Sequence, residues 1–297
     1  MATPAEIGGM RRAIALSAAG LGSTSPNPPV GCVLLDAGGQ IAGEGYHERK
    51  GEAHAEAQAL AAAGARARSG TAVVTLEPCN HHGRTPACRQ ALIDAQVGRV
   101  VIAVTDPTSQ GEGGTSALRA AGIDVETGVL ESEARAVLGP WLTALAAARP
   151  VITWPYVMTA LGVTMAGWEM EDTRALRMSV DAVLGADGSV IEAVPGAHGP
   201  GILDLPVRVR GDSRQIAASL YRGGVRQLVL NGGLDVAAAF LRAGLIDRVL
   251  AYLPDGPASR RPATESPWPL LPPGFGITGV IRVSGFVRID AAPTSSF

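Results

Sequence analysis

Apolar positions along the chain switch repeatedly between the spacing of helices and that of strands. Residues 6–20 carry Ile7, Met10, Ile14 and Leu16 at helical intervals and predict a helix. Residues 30–35 and 40–46 read as two strands joined by the turn Asp36-Ala37-Gly38-Gly39. The alanine-rich stretch 52–63 predicts a helix ended by Gly64, residues 71–76 a strand, 85–95 a helix and 99–104 a strand. A helix over 114–121, a short strand over 124–127 and a long helix over 131–148 complete this region. Strands alternating with helices imply a sheet carrying helices on its faces.

Arg149-Pro150 marks a boundary, because proline disfavours helix at the residue before it. The pattern divides the chain into domains 1–148 and 149–297. In the second, 151–158, 180–185, 207–210, 225–230, 245–253 and 279–289 read as strands, and 171–178, 213–221 and 234–243 as helices. The proline-rich stretch 254–273 reads as a surface loop.

Composition sharpens this. A chain of 297 residues with 46% hydrophobic and 18% charged positions can bury a core, which excludes intrinsic disorder. At about 150 residues per domain the length matches two domains. The net charge is -2, Lys50 is the single lysine, and no basic stripe marks a nucleic-acid surface. No apolar run is long enough to cross a membrane, and the first residues lack the charged-then-apolar order of a signal peptide. Three cysteines do not make a disulfide framework and suit a reducing cytoplasm. The partner expectation is a small-molecule substrate and a homo-oligomer, with no nucleic acid and no membrane.

The candidate chemistry is confined to the first third. Cys32, Cys79, Cys88, His47, His54, His81 and His82 all precede residue 90, and only His198 follows. His54-Ala55-Glu56, then Pro78-Cys79 and Cys88, offer one imidazole and two thiolates, a set that leaves zinc an open fourth position. Such a site activates water by lowering its pKa to about 7. Glu56, two residues from His54 at a helix start, is placed to shuttle the proton. The pattern is close to the zinc base deaminase signature, except that eight residues separate the cysteines instead of two. Thr85 reads as an N-cap and Pro86 as the first helical residue, so the helix dipole would favour a Cys88 thiolate. Bland readings stand beside these: Cys32 as a core residue, His82 as a solvated loop residue, Asn27 as a turn residue before Pro28, and the four-residue set as a structural zinc site, which would need a fourth ligand.

The sequence resembles the bifunctional deaminase–reductases of riboflavin biosynthesis. The resemblance rests on Pro26-Asn27-Pro28-Pro29-Val30-Gly31, Gly45-Tyr46-His47, His54-Ala55-Glu56 and Thr75-Leu76-Glu77-Pro78-Cys79 through Cys88, and spans residues 10–150. It implies a three-layer α/β/α cytidine-deaminase-like domain followed by a shortened dihydrofolate-reductase-like α/β domain. It further implies hydrolytic removal of the 2-amino group from a diaminopyrimidinone carrying a phosphoribosylamino arm. His54, Cys79 and Cys88 would hold Zn2+, Glu56 would move the proton, and Asn27, His47, His81 and Arg84 would line the substrate pocket.

Past Val151 the resemblance weakens. Leu230-Asn231-Gly232-Gly233 matches a cofactor turn, with Gly232 and Gly233 as candidate contacts to NADPH, although tight strand-to-helix turns need glycine anyway. The family's Lys and Asp of the first reductase strand read Pro155 and Leu161, and its paired Asp before a proline reads Ala193-Val194-Pro195. No counterpart of its phosphate-holding Arg lies in 196–204, and a long stretch after Asp212-Ser213-Arg214 is absent. Without these groups the geometry for hydride transfer has no source, so the expectation is a zinc-dependent deaminase whose reductase activity is lost. The rivals are a fully bifunctional deaminase–NADPH reductase, a deaminase of a related heterocycle in a specialised pathway, and a non-catalytic partner that sequesters substrate.

Overall fold

The structure, a computed structural model, describes residues 1–80, 87–109, 113–159, 162–232, 234–255 and 269–294, and the backbone alone of Asp235. Its contacts form two compact units, Met1–Leu142 and Thr143–Phe297.

The first unit opens with α1 (Pro4–Ala18), two residues earlier than its apolar pattern, because Thr3 and Glu6 form a reciprocal capping box and Pro4 stands at the first helical position. There follow β1 (Gly31–Leu35), β2 (Ile41–Tyr46), α2 (Ala55–Ala63) with a 3-10 turn over Gly64–Ala67, β3 (Thr71–Leu76), α3 (Cys88–Asp94), β4 (Arg99–Val104), α4 (Gly114–Ala120), β5 (Asp124–Thr127) and α5 (Glu131–Ala147), within which the division between the units falls. The strands lie in the order β2-β1-β3-β4-β5. The β1 strand runs antiparallel to β2 and β3, while β3, β4 and β5 are parallel.

Alternation decides the layers. Cys32, Leu34, Val74 and Ile102 pack with Ala55 and Ala59 of α2, Leu92 of α3 and Leu118 of α4. Gly9 of α1 sits against Val73 and Leu35, the residues that point the other way. The result is the three-layer arrangement, with Cys32 a fully buried core residue. The alanine-rich α2 lies unusually close to the sheet: a Cβ on Gly43 would meet the Ala59 carbonyl at 2.2 Å, and one on Gly45 the Ala55 carbonyl at 2.5 Å. Two helix starts differ from the sequence expectation. The α2 helix begins at Ala55 with His54 as N-cap, and α3 begins at Cys88 with Ala87 as N-cap and no side-chain cap, so Thr85 is not the cap. Thr85 and Pro86 lie outside the described residues.

The second unit holds β6 (Val151–Thr159), β7 (Gly162–Met165), α6 (Glu171–Met178), β8 (Ala182–Gly185), β9 (Val190–Glu192), α7 (Ser213–Arg222), β10 (Gln227–Asn231), α8 (Leu234–Arg242), β11 (Arg248–Pro254), β12 (Phe275–Val283) and β13 (Phe286–Pro293). Their sheet runs β12-β13-β11-β6-β10-β8-β9, with β7 added on β6. The central strands β11, β6, β10 and β8 are parallel. Ala217 and Leu220 of α7 and Ala237 and Phe240 of α8 pack with Ile152, Trp154, Leu228 and Leu230. Leu176 of α6 packs with Val183 and Val229, which face away from them.

Three expectations need correction. The strand read over 279–289 is the hairpin β12–β13, because Gly285 takes a φ of 74° and reverses the chain inside an otherwise strand-like run. Residues 207–210 do not form a strand: their link to the sheet edge is the single bridge Ser189↔Arg208. The strands β7 and β9, four and three residues long, are too short for the apolar pattern to predict. Part of the proline-rich stretch, 256–268, lies outside the described residues.

The strand β6 carries Pro155 in its interior. The Val151 N–H points to β10 and the Ile152 carbonyl toward β11, so odd-numbered N–H groups face β10. The β10 ladder ends at Thr153 and the β7 ladder resumes at Val157. Pro155 stands where the β10 ladder has ended and the β7 ladder has not begun, so the strand gives up one N–H donor there and keeps its other pairings.

Candidate active site

His54, Cys79 and Cys88 converge, although 34 residues separate the outer two. His54 is the N-cap of α2 and Cys88 the first residue of α3, and Cys79 follows the exit of β3. The His54 Nδ1 lies 3.2 Å from Cys88 Sγ and 3.7 Å from Cys79 Sγ, and all three donor atoms fall within 4.8 Å of one another. Tetrahedral zinc with Zn–N near 2.05 Å and Zn–S near 2.3 Å places N and S about 3.6 Å apart, so the donor set fits that ion. It is the one cluster of this kind among the described residues.

The two thiols are coupled. Hydrogen bonding from Cys88 and His54 outweighs burial and pulls the Cys79 thiol down to about 4, the Cys88 N–H also pointing at Cys79 Sγ from 3.4 Å. That hydrogen bond, and then burial, push the Cys88 thiol up. The N–H at the start of α3 therefore serves Cys79 Sγ. Two thiolates so close repel unless a cation stands between them.

Glu56, in the first turn of α2, is buried and its carboxyl is raised, chiefly by burial and further by the Cys79 charge, in hydrogen-bonding contact with the Cys88 thiol. A carboxyl with a raised pKa, touching a metal donor, is suited to taking and returning a proton.

Asn27 and His47 stand beside this group. The Asn27 Nδ2 is 3.3 Å from His47 Nε2, and His47 Nδ1 is 3.3 Å from the Ala53 carbonyl. This assigns Nδ1 as donor and Nε2 as acceptor, and burial lowers the His47 pKa and keeps the ring neutral. The His47 ring lies edge-on to His54, centroids 5.1 Å apart. His47 therefore holds the Asn27 amide in place. Trp141 Nε1 donates to the Pro26 carbonyl at 3.0 Å, anchoring the Asn27 turn from α5. His81 and Arg84 lie outside the described residues.

Glu77 is the residue that sequence reasoning passed over. It is buried, its Oε1 accepts from the Thr115 N–H at 2.8 Å, at the start of α4, and its Oε2 accepts from Asp106 N–H at 3.1 Å. The carboxylate ties the segment leading to Cys79 to two later segments. Its adjacency to Pro78-Cys79 was the available signal.

In the second unit Gly232 follows β10 and precedes α8, and Gly233 lies outside the described residues. A Cβ on Gly232 would meet Val236 Cβ at 3.0 Å, so helix packing accounts for that glycine without a ligand. Among the described residues of this turn, Asn231 Oδ1, buried without a hydrogen-bond partner at the end of β10, calls for an outside donor.

Fold and donor set together define a deaminase of the cytidine-deaminase type, joined to a reductase-like α/β unit. Residues 8–104 match the cytidine and deoxycytidylate deaminase zinc-binding region, and residues 175–254 match the RibD C-terminal domain. The riboflavin biosynthesis protein RibD of Mycobacterium tuberculosis is 36% identical over 270 residues, covering 78% of this chain and 80% of that protein. The Escherichia coli RibD is 45% identical over 159 residues, 53% of this chain and 42% of its own length. Acinetobacter baumannii RibD superposes with a TM-score of 0.77 at 27% identity, covering 98% of this chain and 99% of that one. The Thermotoga maritima diaminohydroxyphosphoribosylaminopyrimidine deaminase/5-amino-6-(5-phosphoribosylamino)uracil reductase shares the fold, with a TM-score of 0.79 at 24% identity over 97% of this chain and 99% of that one. This chain belongs to the RibD family of riboflavin biosynthesis proteins. No described helix is long and apolar enough to cross a membrane.

Proposed function

We propose that the chain hydrolyses the exocyclic 2-amino group of a phosphoribosylated diaminopyrimidinone and that its second unit does not carry out the reduction. The observation that carries the deaminase reading is the convergence of His54, Cys79 and Cys88 within 4.8 Å, with buried Glu56 against Cys88. These three residues would hold zinc, which supplies a Lewis acid that lowers the pKa of water to about 7. Glu56 accepts a proton from the attacking water, delivers it to the ring nitrogen of the amidine, and returns one to the departing amine. Asn27, braced by His47, presents its amide to the heterocycle. His81 and Arg84 are assigned to the substrate by family resemblance alone. Loss of reduction is supported by Pro155 where the family resemblance implies a Lys and by Gly232 being accounted for by Val236.

Asn231 favours a second reading, in which the turn after β10 still accepts a ligand. One incubation separates the two. The phosphoribosylated diaminopyrimidinone is supplied with and without NADPH, and the products are resolved by mass. The expected product is the deaminated pyrimidinedione in both arms, and a ribityl product in the NADPH arm alone would overturn the loss of reduction. Glu56→Gln is expected to keep its zinc by metal analysis while ammonia release falls by about 10²–10⁴-fold. Near-normal release would end the assignment of Glu56.

A further inference from the structure

A cleft of about 530 Å³ runs along the outer face of α7 in the second unit. Its two walls differ in construction. One is the segment 206–210, held against the β8–β9 hairpin by Val190 N–H to the Val207 carbonyl at 3.3 Å and Val209 N–H to the Gly188 carbonyl at 2.8 Å. Arg208, Val209 and Arg210 all line the cleft, with Val209 also packed against the core. The other wall is α7, where Gln215, Ser219 and Arg222 recur at i, i+4 and i+7 and form one stripe. Pro206, Val209, Ile216 and Ala218 supply an apolar floor.

Of the three arginines lining this cleft, one is used by the fold. Arg208 pairs with Asp187 at 2.8 Å, but the side chains of Arg210 and Arg222 make no hydrogen bond or ion pair among the described residues. The carbonyl end of α7 gives Arg222 a local reason to be cationic, and Arg210 has none. Guanidinium groups on opposite walls can each grip a phosphate bidentately, and the volume falls within the roughly 300–1,000 Å³ of small-molecule sites. Both the charges and the apolar floor are satisfied by one ligand type, a phosphate attached to a flat or apolar body. None of the lining residues belongs to the Gly232 turn or to the deaminase unit.

We propose that this cleft binds a phosphorylated small molecule of mononucleotide size, its phosphate held between Arg210 and Arg222 and its ring resting on Val209 and Ile216. The site is independent of the deamination reading. The test is titration calorimetry on the zinc-loaded full chain with uridine monophosphate, which carries no exocyclic amine, against uridine and inorganic phosphate as controls. Uridine monophosphate is expected to bind at least about tenfold tighter than either control, because only it engages both arginines and the apolar floor. An Arg210→Ala/Arg222→Ala double variant is expected to weaken binding about tenfold or more, with melting temperature and ammonia release unchanged, since both side chains are exposed and outside the deaminase machinery. Asn27→Ala is expected to leave binding intact. Absence of heat in the millimolar range, equal affinity for uridine or phosphate, or binding lost in Asn27→Ala or Gly232→Val but kept in the double variant would each overturn the proposal.

Discussion

A buried carboxylate with both oxygens engaged, as in Glu77, rivets the exit of β3 to the start of α4, and the strain of its removal would reach Cys79 two residues on. Glu77→Ala leaves two backbone N–H groups without their acceptor, and the expected loss is about 2–3 kcal/mol of stability. Chelator competition should also show faster zinc release, with Glu77→Gln intermediate because it keeps one carbonyl oxygen. An unchanged release rate would make Glu77 a fold residue only. At this scale legibility in the sequence depends on distance. The His54-Ala55-Glu56 spacing and the Pro78-Cys79 pair announce their chemistry locally. Glu77 bonds to Thr115, 38 residues away, and nothing nearby in the chain records that partner. The Cys88 N–H contact to Cys79 Sγ was equally hidden, because it joins two segments nine residues apart whose approach the local pattern does not record.

Elements carry the site by how closely they approach. The α2 helix presents His54 and Glu56 from its first turn, and Gly45 lets that turn rest on β2, with the Ala55 carbonyl 2.5 Å from where a Cβ would lie. Gly45→Val is expected to push α2 outward at a cost of about 1–3 kcal/mol, lowering the melting temperature and the zinc content together. If the protein melted earlier with full zinc content, the helix position would not govern the metal donors. In the second unit His198 is buried between Asp181, 3.2 Å from Nε2, and Glu192, 2.7 Å from Nδ1. Burial lowers its pKa, but Asp181 and then Glu192 outweigh it and the net shift is upward. A group whose pKa is higher folded than unfolded stabilises fully below the unfolded value of about 6.5, and the contribution fades as pH rises through the folded value. Denaturant titrations should therefore show stability declining from about pH 6.5 upward, with a flatter slope in His198→Gln. Periodicity reported most long elements and misplaced their ends, where caps decide. It missed the turn at Gly285, because two residues do not interrupt an alternating pattern long enough to be seen.

For the whole molecule, the alternation of strands and helices was enough to read two α/β units, and the clustering of His and Cys was enough to say which of them holds the metal. Which strands pair was not readable, since a sheet order such as β12-β13-β11-β6-β10-β8-β9 is set by contacts far apart in sequence. If zinc belongs to the first unit, calorimetry with and without a chelator should shift one unfolding transition downward, by about 2.7 kcal/mol for zinc at a hundred times its dissociation constant, and leave the other in place. A shift of both would mean that the units unfold together. Pro155 bears on what could be built here. The imide nitrogen donates no ladder bond, so a lysine at this position would break none of the N–H bonds the sheet now has. The reductase-like unit is, in engineering terms, a chassis on which a cationic side chain can be reinstalled without redesigning the sheet beneath it.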